Sequence, residues 1–164
     1  MKKFIKTLLT EALSIPSLRL PKDVGVSAQE IEAIKNVDWT DIGIEDHGGA
    51  GNIAHLGITL PFESSITDGI IIDIQIISDL IYQIHIHMGK DLRGLGLGYK
   101  IYKALIKDLG HLYSGKGRRL NPHVTMIWDK LKNDPDFDCI SNENGDMCMT
   151  KDNPTKNDLV DFMS

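Results

Sequence analysis

Apolar and polar residues alternate from Tyr82 to Met88, with Tyr82, Ile84, Ile86 and Met88 on one side and Gln83, His85 and His87 on the other. A period of two predicts a half-buried strand. From Leu97 the period lengthens to about 3.6, because Leu97, Ile101, Leu105 and Leu109 recur at helical spacing. Residues 82–109 therefore predict strand, loop and helix. Upstream, strands are expected at about 53–60, 69–77 and 80–88, the last two joined by Ser78-Asp79. Downstream, His111-Leu112-Tyr113 is a poor strand, and residues 121–131 predict a helix with Val124, Ile127, Trp128 and Leu131 on one face. Residues 137–149 predict a hairpin turning at Asn144-Gly145.

Nearer the start, Ser27 and Glu30 form a capping-box pattern ahead of Ile31 and Ile34, and Trp39 to Glu45 reads as a short strand. The stretch His47-Gly48-Gly49-Ala50-Gly51-Asn52 reads as a flexible turn. Phe4, Ile5, Leu8, Leu9 and Leu13 predict an amphipathic helix over about 2–13, expected to dock on the domain or on a protein partner. The tail, 150–164, is polar, with Leu159, Val160 and Phe162 as a small docking face.

The strand pairing carries a further expectation. A strict two-residue turn after 69–77 would set Asp73 opposite Ile84 and mix polar with apolar side chains on one face. An odd loop or bulge would instead align Asp73 and Gln75 with Gln83, His85 and His87. The second register is expected, and its polar face suits a substrate channel better than a core.

Between strand and helix lies Arg93-Gly94-Leu95-Gly96-Leu97-Gly98. Its glycines leave backbone N–H groups uncovered where the helix dipole is positive, a geometry suited to phosphate. A dinucleotide fingerprint needs G-x-G-x-x-G, whereas Gly94, Gly96 and Gly98 run G-x-G-x-G. A Walker loop needs Gly-Lys-Ser/Thr, and Gly98 is followed by Tyr99-Lys100. What remains is R-x-x-G-x-G at Arg93, Gly96 and Gly98, which resembles the pyrophosphate loop of the GNAT acetyltransferase superfamily. The resemblance spans roughly residues 69–149 and is specific only in 81–109.

It implies an α/β fold of α+β type, a mixed, mainly antiparallel central sheet flanked by helices. It also implies acetyl-CoA as cosubstrate and an unknown amine as acceptor. Coenzyme contacts would fall on Ile86, His87 and Met88, on Arg93, Gly94, Leu95, Gly96, Leu97, Gly98 and Tyr99, and on Asn121. Direct attack by an amine needs a base, and His85 and His87 have suitable unperturbed pKa values, with Asp73 as an alternative. The family often carries a tyrosine seven residues after the asparagine, and here that position is Trp128, which has no hydroxyl to donate. Tyr113 is the candidate replacement.

Composition narrows the picture. At 164 residues the chain suits one domain spanning 1–164. A formal charge of −5 argues against general nucleic-acid binding, and the basic cluster Lys116, Arg118 and Arg119 is local. The two cysteines, Cys139 and Cys148, cannot make a zinc site alone, and no metal is expected. A turn at Asn144-Gly145 would oppose Cys148 to Ser141, so free thiols and a cytoplasmic setting are expected. Lys6 and Glu11 interrupt the first residues against a signal peptide, and no apolar run reaches a membrane span. The alternative to the enzyme is a non-catalytic scaffold on the same fold, a subunit of an assembly such as a phage particle.

Overall fold

The computed structural model describes residues 21–78, 81–116 and 121–164. The helix expected over 2–13 lies outside the described residues, as do Asp79, Arg118 and Arg119. The described chain forms a seven-stranded sheet in the order β1-β2-β3-β4-β5-β7-β6. The strands are β1 (Gly43–Ala50), β2 (Ile53–Thr59), β3 (Ile70–Ser78), β4 (Ile81–Met88), β5 (His111–Tyr113), β6 (Phe137–Asn142) and β7 (Gly145–Thr150). Four α-helices accompany them among the described residues: α1 (Ala28–Asn36), α2 (Leu97–Leu109), α3 (Pro122–Lys132) and α4 (Lys156–Met163). Neighbouring strands are antiparallel except β4 and β5, so this is a mixed α+β architecture.

One sheet face carries Ala54, Leu56 and Ile58 of β2, Ile72, Ile74 and Ile76 of β3, and Ile84 of β4, all buried. Onto it pack Ile34 of α1, Ile101, Leu105 and Ile106 of α2, and Trp128 and Leu131 of α3. Burying each such aliphatic side chain stabilises the fold by about 1.5–3 kcal/mol. On the opposite face, Leu159 and Met163 of α4 pack with Ile81, Tyr113, Met147 and Met149. The tail therefore docks in cis, leaving Val160 and Phe162 exposed.

Capping explains the helix limits. Ser27 and Glu30 bond reciprocally at the start of α1, and Asn121 accepts from the N–H groups of His123 and Val124 at the start of α3. The C-terminal carbonyls of α1 receive a cation, since Lys100 Nζ lies 2.8 Å from the oxygens of Ile34, Lys35 and Val37.

Three expectations are corrected. Residues 39–41 form a 3₁₀ turn, not strand, because the Asp38 carboxylate caps Thr40. The stretch His47-Gly48-Gly49 is not a loop but part of β1, which bulges between Asp46 and Gly49. Gly48 sits at φ +82°, and its N–H donates to Asp46 at 2.7 Å, so the extra residue is absorbed without ending the strand. The third concerns the β6–β7 hairpin, which turns at Glu143-Asn144, one residue earlier than expected. Asn142 pairs with Gly145, the Asn142 side chain accepts from the Asn144 N–H, and Cys139 comes opposite Cys148. The two cysteines form a disulfide rather than free thiols.

The polar register is as expected. Asp73 pairs with His85 and Gln75 with Gln83, and the irregularity that permits it lies between Ile76 and Ser78.

Candidate functional site

Between β4 and β5 the sheet opens. A single pair, Gln83 with Tyr113, joins the two strands; β5 ends there while β4 continues to Met88. The far half of β4 thus presents backbone groups toward a gap that α2 and α3 roof. A cavity of about 390 Å³ occupies it. Its walls are the end of β4, the loop around Gly94 and Gly96, the first turns of α2, and the near face of α3.

The glycines of the loop do different things. Gly94 and Gly96 have φ of +80° and +79°, and a Cβ at either would meet nothing within 4 Å. Their conformation, not crowding, calls for glycine. Gly98 is the reverse, for its Cβ would come within 3.1 Å of Met88 Cε and 3.2 Å of Ile127 Cδ1. Its bareness lets α2 approach β4 and α3. Gly96 is the N-cap of α2 and offers no side-chain acceptor, and no acidic residue lies in the first turn. The opening N–H groups therefore keep their positive end of the dipole uncompensated by side chains. Arg93 ties the loop to the strand, its Nε donating to the Met88 carbonyl at 3.2 Å.

All the residues expected to contact coenzyme line this cavity except Leu95, which packs against the core. Asn121 is there too, with its side chain committed to capping α3. Of the four catalytic candidates, His87 lines the cavity. His85 and Asp73 lie one row away on the polar sheet face. Tyr113 is on the α4 side, and its hydroxyl donates to the Asn144 carbonyl at 2.8 Å.

Sequence reasoning missed the α3 contribution, from Val124, Ile127 and Lys130, because a helix's own period does not say which cavity its face lines. It also missed Tyr102. This residue lines the cavity and is only 3% exposed, with its ring perpendicular to the Trp128 indole at a centroid distance of 5.6 Å. Burial raises its phenol above the ordinary range, so it stays protonated. The other cavity phenol, Tyr99, donates its hydroxyl to Asp134, which Lys103 Nζ meets at 2.7 Å. Burial, then Asp134, raises Tyr99 as well.

On the polar sheet face, register sets side chains in two rows. Ile71 and His87 fall in one, and His55, Asp73 and His85 in the next. His55 Nδ1 lies 2.7 Å from Asp73 Oδ1, an orienting pair. The alternation of β2, with Ala54, Leu56 and Ile58 inward, was the available signal that His55 faces outward with the polar set. Burial, then the charge of His87, lowers the His85 pKa below 6.5, while Asp73 raises it in part. His85 is thus neutral near pH 7. Among the described residues no group of three His, Cys, Asp or Glu side chains could hold a metal ion, and no helix is long and apolar enough to cross a membrane.

Comparisons with protein-family models, with curated proteins and with solved structures find no match. The site brings together a helix start whose N–H groups no side chain caps, the edge of β4 beyond its one pair with β5, the His87 imidazole and the buried Tyr102 phenol.

Proposed function

We propose that the protein is an acetyl-CoA-dependent N-acetyltransferase of the GNAT type. The observation that carries this reading is the cavity running from the open edge of β4 to the left-handed glycines at the start of α2. A cavity of this volume suits a small-molecule arm, and the helix start suits a diphosphate. The parallel contact of β4 with β5 at one pair and the sheet order agree with it.

In this reading the first-turn N–H groups of α2 and Arg93 hold the diphosphate, and the edge of β4 from Ile86 to Met88 aligns the pantetheine amides. His87 takes a proton from the ammonium of the acceptor. The neutral nitrogen attacks the thioester carbonyl carbon; the C–N bond forms, the nitrogen gives up its second proton to solvent, the C–S bond breaks, and sulfur leaves with the electron pair. Tyr102 gives that sulfur its proton and regains one from solvent. The balance is amide, coenzyme A thiol and one released proton. His85 stays neutral, because burial first and the neighbouring His87 second hold its pKa down.

Calorimetric titration with coenzyme A tests the reading. Ligand at a hundred times its dissociation constant should stabilise the fold by about 2.7 kcal/mol. No heat at millimolar coenzyme A removes it. His87→Ala should then lower turnover about 10²-fold or more with coenzyme affinity unchanged.

The scaffold alternative draws support from α4, where Val160 and Phe162 are 38% and 44% exposed. Light scattering that finds a monomer unchanged by Phe162→Ser argues against it.

A further inference from the structure

The indole of Trp128 is wholly buried on α3, and its Nε1 meets no acceptor at full hydrogen-bond geometry among the described residues. A buried donor left unmatched is costly, and folded proteins keep few of them. The polar atom it approaches is the hydroxyl of Tyr102 on α2, whose ring stands perpendicular to the indole at a centroid distance of 5.6 Å. Tyr102 lines the cavity at the glycine loop, and Trp128 does not. The phenol therefore has the indole N–H on one side and the cavity on another.

Two influences act on this phenol. Burial raises its pKa, and the indole N–H opposes burial by approaching the oxygen. The ionisable groups around the cavity are His87 of β4, Arg93 of the loop, Tyr99 of α2, and His123 and Lys130 of α3, and none of them acts on the Tyr102 oxygen. A phenolate formed there has the indole as its stabilising donor among the described residues. Hydrogen bonds to an ionised oxygen are shorter and about twice as strong as those to a neutral one. An N–H that fits the neutral phenol loosely closes on the oxygen as negative charge builds, which stabilises the transition state and not the ground state.

We propose that Trp128 is a positioning residue for proton delivery: its indole N–H holds the Tyr102 oxygen, leaves the O–H directed into the cavity, and takes up the charge that remains when the proton goes to the departing sulfur. The inference rests on the acyltransferase reading and deepens it. In the step, the phenol O–H bond breaks, the S–H bond forms, and the electron pair of the O–H bond stays on the phenol oxygen. The indole keeps its own proton throughout, and solvent returns one to the phenolate.

The test uses the full chain with Tyr102 exchanged for difluorotyrosine, whose more acidic phenol ionises at a pH the fold survives, and follows the fluorine resonance against pH. Trp128→Phe keeps an aromatic ring and removes the donor. It should raise the midpoint by about one pH unit or more, the equivalent of one hydrogen bond to a charged group. Benzothienylalanine at position 128, which has the shape of tryptophan with sulfur in place of the N–H, should give the same rise, and it decides the matter if Trp128→Phe does not fold. With Trp128 intact, the indole N–H resonance should move downfield with the same midpoint as the phenol. An unchanged midpoint in the donor-free protein, or an indole resonance indifferent to the phenol's ionisation, overturns the role of Trp128 and leaves the acyltransferase reading standing. Failure of coenzyme A to bind to the unaltered chain overturns that reading, and the catalytic use of the pair with it, even where the midpoint shifts.

Discussion

Gly96 offers the most direct perturbation, because what its replacement costs follows from one dihedral angle. At φ +79° it occupies the left-handed region, and a Cβ there meets nothing within 4 Å. Steric collision contributes nothing to the outcome. Gly96→Ala should lose about 1–2 kcal/mol from the left-handed backbone, offset by about 0.4–1 kcal/mol because alanine restricts the unfolded chain. The net loss is about 1 kcal/mol, read as a lower urea midpoint with an unchanged slope. Gly96→Glu has the same backbone strain and should lose about as much stability. The two variants part on binding: Ala should weaken coenzyme A about tenfold by misaligning the first N–H groups, whereas Glu should abolish it by setting a carboxylate where the diphosphate sits. Chemical denaturation and calorimetry on both variants provide the assay. Equal coenzyme affinity in Glu and wild type would refute the assignment of the loop, and unchanged stability in Ala would refute the strain argument.

Further outcomes follow from the same structure. Tyr102→Phe should lower kcat while leaving coenzyme A affinity intact, and equal kcat would remove the phenol as proton donor. Lys103 and Asp134 form a buried ion pair at 2.7 Å, with side chains 9% and 5% exposed, so Lys103→Met should cost about 3–5 kcal/mol by stranding the carboxylate, measured by denaturation. Cys139→Ser with Cys148→Ser removes a bridge across a sequence separation of 9, and the loop-entropy relation gives a loss of about 2.5 kcal/mol, absent if the thiols are reduced in the working protein. His85 has its folded pKa held below 6.5, so the unfolded chain binds its proton first as pH falls. Stability from this group is therefore present above pH 6.5 and declines as pH drops toward the folded pKa; His85→Gln should flatten that part of the stability profile, and an unchanged slope would contradict the shift.

Local pattern determined much of this molecule. The alternation of 82–88 and the helical period from Leu97 set the strand, loop and helix, since side-chain direction follows the backbone period. The demand that polar side chains share a face was enough to set Asp73 and Gln75 on the side of Gln83, His85 and His87, and the strand ladder then put Asp73 opposite His85. The glycines marked a loop with uncovered N–H groups at the start of α2, where Gly94 and Gly96 take the left-handed conformation.

Tertiary structure decided the rest. The turn of the β6–β7 hairpin moved by one residue, to Glu143-Asn144, and with it the partners of both cysteines, because register depends on the whole ladder and not on the best turn dipeptide. The His47-Gly48-Gly49 stretch became strand because a neighbour, β2, was there to pair with it. Tyr102 reached the cavity from α2, while Tyr113, adjacent to the strand gap in pairing, turned to the opposite face. A period states that a residue faces a side of its own element; which cavity that side borders is set only when the elements pack together.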